Sequence, residues 1–135
     1  MTSDTPFELL LRGATLQAEP QRLLFVFTTA ELPEDPSPEQ RERFASGQGG
    51  TLSPRVCVDK SPAELGSFEA LRAESAKAGP PWQVVFIAAL SGQGGKPATE
   101  ARIEQALRTM VERIRCGQLE GLLALDVEGR PLSFG

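Results

Sequence analysis

Histidine, tyrosine and asparagine are missing from this chain of 135 residues, and cysteine occurs only at Cys57 and Cys116. Without His there is no Ser-His-Asp triad, no Cys-His pair and no His-containing zinc or haem site. Two cysteines cannot supply a four-Cys metal site, and their spacing forms no Cys-x-x-Cys motif. Basic charge is also short: 14 Lys plus Arg face 18 Asp plus Glu, a formal charge of −4. That balance opposes sequence-independent binding to nucleic acid or to an anionic membrane, since both need a net basic surface. Long apolar runs are absent too. The most apolar stretch, Val84 to Leu90, covers about a third of a bilayer span, so no membrane crossing is expected. The start, Met-Thr-Ser-Asp-Thr-Pro, has no basic region leading into an apolar one, and a cytoplasmic location is expected.

What is present suits one domain over residues 1–135. With 40% apolar residues the chain is too hydrophobic for disorder, and folding should remove roughly two thirds of the extended surface from water. Three segments share a helix-start formula: Thr5-Pro6-Phe7-Glu8, Ser37-Pro38-Glu39-Gln40 and Ser61-Pro62-Ala63-Glu64. Each sets a hydroxyl at the N-cap, Pro at the first helical position and Glu or Gln at the third. Helices are therefore expected from Pro6 to about Ala18, Pro38 to about Ser46 and Pro62 to Ala78. A fourth, from Pro97 or Thr99 to Cys116, carries the stripe Ile103, Leu107, Met110, Ile114. The second helix has only Phe44 as a large apolar residue and belongs on the surface.

Strands are expected at Leu23–Phe27, Arg55–Asp59, Trp82–Leu90, Gly121–Asp126 and Arg130–Phe134, the last two joined by a turn at Val127-Glu128-Gly129. Helices alternating with strands predict an α/β fold. Its sheet would be mostly parallel, of four to five strands with flanking helices, ending in a C-terminal antiparallel hairpin. A thioredoxin-like layout is a rival, but it would want a helix after the hairpin.

The pentapeptide Ser-Gly-Gln-Gly-Gly occurs at 46–50 and again at 91–95, which points to an internal duplication, although the segments between the copies do not align. In the second copy Gly92, Gly94, Gly95 and Lys96 resemble a phosphate loop, in which backbone N–H groups face an anion and Lys adds charge. The match departs at decisive places. A Walker motif needs Gly where Leu90 stands and Ser or Thr where Pro97 stands, and a dinucleotide fingerprint also needs Gly at Pro97. A turn clearing a crowded strand end explains the same residues.

Other candidates have plain readings beside them. Cys57 shares its expected strand face with Arg55 and Asp59, but without a His base it is better read as a small packed side chain. Cys116 ends a helix, where the dipole disfavours a thiolate. Asp59-Lys60 reads as a solvated pair more readily than as a ligand-facing one. Trp82 reads as an apolar anchor and not as a stacking platform.

The runs Pro20-Gln21-Arg22-Leu23-Leu24-Phe25-Val26-Phe27, Ala30-Glu31-Leu32-Pro33, Gly47-Gln48-Gly49-Gly50, Val58-Asp59-Lys60-Ser61-Pro62 and Gly79-Pro80-Pro81-Trp82, with the closing hairpin, resemble a small family of bacterial proteins. Some members of that family are labelled ribonucleotide reductase alpha subunit. As a catalytic assignment the label implies a radical-forming Cys plus a reducing Cys pair, and only two cysteines are present. A weaker similarity, in Val58 to Leu71 and the hairpin, is to the small domain of the enhanced-serine-sensitivity family, which is linked with secretion. Neither resemblance carries a site residue onto this chain.

The expected function is a non-catalytic binding, interaction or accessory module that engages a protein partner or a small ligand. No cofactor, metal, nucleic acid or membrane enters it, and no oligomeric state is specified. The alternative is a small nucleotide- or phosphate-binding protein or enzyme using the Gly92–Lys96 turn. Cys57 and Cys116 are expected to stay reduced and unpaired. Titration with a thiol reagent after denaturation should count two free thiols, whereas a mass two protons light with no reactive thiol would refute it.

Overall fold

The computed structural model describes residues 5–31, 35–45, 51–79 and 81–133. The elements run α1 (Pro6–Thr15), β1 (Gln21–Glu31), α2 (Pro38–Ala45), β2 (Thr51–Lys60), α3 (Phe68–Ala78), β3 (Val84–Ser91), α4 (Glu100–Arg115) and β4 (Leu123–Asp126).

The hydroxyl caps behave as their chemistry dictates. Thr5 Oγ1 accepts from Glu8 N at the start of α1 (3.1 Å). At α2, Ser37 Oγ accepts from Gln40 N while Gln40 Oε1 accepts from Ser37 N. The third formula opens only a 3₁₀ turn, Pro62–Glu64, because Leu65 goes extended at ψ 132°. The expected helix from Pro62 therefore breaks before Phe68. A second hydroxyl, Ser67 Oγ, restarts it as α3 by accepting from Ala70 N (3.1 Å).

The largest correction concerns strand direction. The four strands stand in the order β2-β1-β3-β4, and every neighbouring pair is antiparallel. The fold is α+β, and the expected mostly parallel sheet is overturned. The cause lies in α2, whose described side chains are all exposed. The described side chains of α2 offer no buried face with which to lie on a sheet as a crossover, and β1 and β2 pair directly as a long hairpin. Only the link from β2 to β3 steps over a strand. The closing hairpin is also reduced among the described residues: Pro131 forms one isolated bridge with Leu125, and Phe134, the end of the expected last strand, lies outside them. Its turn holds through Asp126, whose Oδ1 accepts from Glu128 N and Arg130 N (both 2.9 Å), with Gly129 at φ 80°.

Both faces of the sheet are covered, which is why β1 and β3 are continuously apolar. On one face Leu23, Phe25, Phe27, Val85, Ile87 and Leu125 meet Phe7, Phe68, Leu71 and Trp82 from the α1 and α3 side. Aromatic rings tie that layer together: Phe7 to Phe68 edge-on at 5.6 Å and Phe27 to Trp82 at 5.1 Å. Trp82 acts as the anchor expected of it, with its indole N–H donating to Ser75 Oγ (2.8 Å). On the other face Leu24, Val26, Phe86 and Ala124 meet Ile103, Met110 and Ile114 of α4.

The chain runs through the order helix, strand, helix, strand twice, with the two inner strands paired and the two outer strands outside them. Phe7-Glu8-Leu9-Leu10 of α1 is echoed by Phe68-Glu69-Ala70-Leu71 of α3, and the two phenylalanines touch. The Ser-Gly-Gln-Gly-Gly copies fall at different steps of this order, one before β2 and one at the end of β3. The two pentapeptides therefore do not mark equivalent steps of that order. The first copy, Ser46–Gly50, lies outside the described residues.

Phe25 is fully buried, so Phe25→Ala should lower the unfolding free energy by about 3–5 kcal/mol. A Cβ at Gly13 meets nothing within 4 Å inside α1, so Gly13→Ala should raise it by about 0.5–1 kcal/mol. Urea unfolding measures both, and opposite signs are required.

Candidate functional site

At one end of the sheet β1 begins while β2 and β3 finish, because Gln21 pairs with Ser91 and Leu23 with Lys60. The antiparallel pairing thus brings together Asp59-Lys60 and the Gly92–Lys96 turn, which the sequence holds far apart, with Arg22 on the strand between them. Two clefts flank this end. One of about 640 Å³ is lined by Glu19, Arg22, Ser61, Gly95 and Pro97 among others, and one of about 490 Å³ by Arg22, Asp59, Glu100 and Glu104 among others.

The Gly92–Lys96 segment is a hairpin turn and not the mouth of a helix. Gln93 N donates to Lys96 O (2.9 Å) and Lys96 N donates to Gln93 O (3.0 Å). Gly94 and Gly95 between them lie at φ 60° and 77°, the pair of positive values a two-residue turn of this kind requires. Gly92 N donates to Pro20 O (2.8 Å), extending the β1–β3 ladder by one rung. Gly95 N donates to Glu19 Oε1 (2.7 Å). Helix α4 starts later, at Glu100, where Thr99 Oγ1 accepts from Arg102 N (3.3 Å).

Glycine at 92 is a steric necessity, since a Cβ there would stand 1.9 Å from Lys96 O. Lys96 itself is exposed at the rim.

Asp59 and Lys60 do not pair with each other. Arg22 Nε donates to Asp59 Oδ2 (2.6 Å) and its Nη1 to Glu64 Oε1 (3.1 Å), while Lys60 Nζ meets Glu74 Oε1 (2.8 Å). These side chains are partly exposed, so each pair contributes modestly and mainly fixes geometry. Glu64 also accepts from the backbone N–H and the hydroxyl of Ser61 (2.8 and 3.0 Å). Those hydrogen bonds, the backbone one first, hold its carboxyl below the ordinary range, with Arg22 and Lys60 helping.

Cys57 gains no activation. Cys57 stands on the open side of β2, yet the atoms packed around its sulfur desolvate the thiolate enough to push the thiol above its ordinary range. The expected Arg55 neighbour is displaced, because the register slips between Phe27 and Thr28 and leaves Arg55 as the extra residue of a bulge. Arg55 instead reaches back to Thr29 Oγ1 (3.0 Å) and to Glu31. Cys57 and Cys116 are both free and exposed. Among the described residues no group of three or more His, Cys, Asp and Glu is placed to hold a metal ion. Among them, too, no helix is long and apolar enough to cross a membrane.

Glu19 and Arg22 are the two residues of this end that sequence reasoning missed. No motif marks them, because their partners are set by strand register. No protein-family model, curated protein or solved structure matches the chain.

Gly92→Ala should lower stability by roughly 1–3 kcal/mol, the range for overpacking. Gly66→Ala, where a Cβ meets nothing within 4 Å, should change it by less than about 0.5 kcal/mol. Equal effects in thermal unfolding would contradict the close approach at Gly92. The lowered carboxyl of Glu64 gives a sign as well. Its contribution is complete above the ordinary Glu value of about 4.3 and is lost as pH falls through the lowered value. Glu64→Gln should therefore flatten part of the acid limb of the stability profile, and an unchanged limb would remove Glu64 from it.

Proposed function

We propose that this chain is a non-catalytic interaction module of the bacterial cytoplasm, working through its surface on a protein partner or as an accessory part of a larger assembly. The observation that carries this reading is the bond from Gly95 N to the Glu19 carboxylate. The turn that most resembles a phosphate cradle already has its anion, supplied by the chain. Gly92, Gln93 and Lys96 spend their amide donors on Pro20, Lys96 and Gln93 in the same way.

The charge around the turn supports the same reading. Arg22 is met by Asp59 and Glu64, and the adjoining cleft adds Glu100 and Glu104. An incoming phosphate would meet the carboxylates of Glu19, Asp59, Glu64, Glu100 and Glu104 against the cations Arg22, Lys96 and Arg102, and the excess of negative charge opposes it.

Titration with a nucleoside triphosphate, and separately with inorganic phosphate, followed by amide NMR, tests the reading. The signals of Gly92, Gly94, Gly95 and Lys96 should move only as ionic strength moves them. Saturable shifts confined to those amides would replace the interaction module with a small phosphate-ligand-binding protein.

A further inference from the structure

We propose that the trough across the start of β1 docks an extended, basic segment of a partner protein. Glu100 and Glu104 take its Arg or Lys side chains, and a cleft walled by Ala and Pro takes its apolar residues. The inference rests on reading the chain as an interaction module, and it names the chemistry of the partner.

The trough consists of the two clefts at this end of the sheet. Each has the size of a ligand site, about 640 and 490 Å³. Arg22 and Pro97 line both, so the clefts meet at these residues. Because β1 lies between β2 and β3, the Ser61–Ala63 turn after β2 forms one bank, and Gly95 and Pro97 after β3 form the other.

The larger cleft is walled by Ala14, Ala18, Pro20, Pro62, Ala63 and Pro97. Its polar side chains already bond within the chain. Glu19 accepts from Gly95 N, Gln21 donates to Ser91 Oγ, and Ser61 Oγ donates to Glu64 (2.7, 2.7 and 3.0 Å). What remains for an occupant is apolar surface.

The smaller cleft has a charged rim. Ala98 and Ile103 are buried beneath it, with Leu107 half-buried beside them, and the rim carries Asp59, Glu100 and Glu104. Among the described residues Arg22 is the only cation in its lining, and Asp59 and Glu64 hold it. Lys96, Arg102 and Arg108 line neither cleft.

Glu100, Ile103, Glu104 and Leu107 share one face of α4. No ion pair or side-chain hydrogen bond engages either glutamate among the described residues. The helix N-terminus favours Glu100 in the first turn, but Glu104 lies beyond it. Like charges at this spacing repel each other. A guanidinium or ammonium between them removes that repulsion, while its hydrocarbon stem lies along Ile103 and Leu107. Charge therefore sets the sign of the occupant and turns away anionic partners. Length sets its kind, since a small amine would satisfy the two glutamates and leave the apolar cleft empty.

Selection from a displayed library of random decapeptides, followed by amide NMR with the strongest binder synthesised, tests this. Selected sequences should carry Arg or Lys beside apolar residues and lack Asp and Glu. Saturable shifts should fall at Ala18, Ala63 and Gly95 in one cleft and at Ala98 and Glu104 in the other. Glu100→Gln combined with Glu104→Gln should weaken the peptide roughly tenfold. Glu69→Gln combined with Glu128→Gln makes the same change of net charge beside the start of α1 and should weaken it less than about twofold. Ala63→Trp, which fills the apolar cleft from an exposed position, should also weaken it roughly tenfold. Native-like circular dichroism of each variant separates loss of binding from loss of fold. No binder in the library, binders without basic residues, shifts outside the trough, or equal losses in the two double variants would each overturn the proposal. Shifts of the same amides with protein concentration alone would put a second copy in the trough and overturn it too. None of these outcomes alters the phosphate titration, whose saturable shifts at the Gly92–Lys96 amides would instead remove the interaction module itself.

Discussion

The pairing of β1 with a strand on each side is the constraint on which the rest of the structure depends. β1 bonds to β2 along one edge and to β3 along the other, and both partners run against it. Its alternate residues feed two separate cores: Leu23, Phe25 and Phe27 face α1 and α3, while Leu24 and Val26 face α4. A strand buried on two faces and bonded on two edges has no tolerance for a register slip, which would send each of these side chains to the wrong layer. The one irregularity, at Phe27 and Thr28, falls toward the far end of β1, where β2 carries Pro54 and Arg55.

The same pairing accounts for the polar end of the molecule. Because β2 and β3 finish where β1 begins, three chain segments arrive with strand-end groups that need partners. Arg22, Glu19 and Ser61 meet those needs from within the chain. The site is thus built as a set of mutual satisfactions, and one of the two clefts beside it sets Asp59, Glu100 and Glu104 against Arg22. That chemistry favours a structural role for the glycine turn.

Much of the local structure was legible because its causes are local. Hydroxyl caps, Pro at the first helical position and the apolar runs of β1 and β3 act over a few residues, and they mark the helices and strands in place. The Pro62 formula misled because a cap signals a start and says nothing of length; Leu65 and Gly66 ended that turn before a helix formed. Strand direction was not legible, since helix-strand alternation is shared by parallel and antiparallel plans. The deciding cue was the absence of an apolar face on α2, which the sequence did display through Phe44 standing alone. The partners of Gly95, Arg22 and Asp59 were illegible for a further reason. They are fixed by which residues lie opposite each other across strands, and a one-residue change of register would give a different set.

The antiparallel placement of β1 between β2 and β3 is tested most directly by backbone proton contacts across the strands. In the ladder phase set by Gly92 and Pro20, Phe25 faces Ile87 and Val26 faces Cys57 in pairs without mutual hydrogen bonds. The Cα atoms of such pairs stand only about 4.5 Å apart. Strong Hα–Hα nuclear Overhauser effects between Phe25 and Ile87, and between Val26 and Cys57, are the result this account requires. Their absence, with contacts instead between β1 and strands running in its own direction, would contradict it.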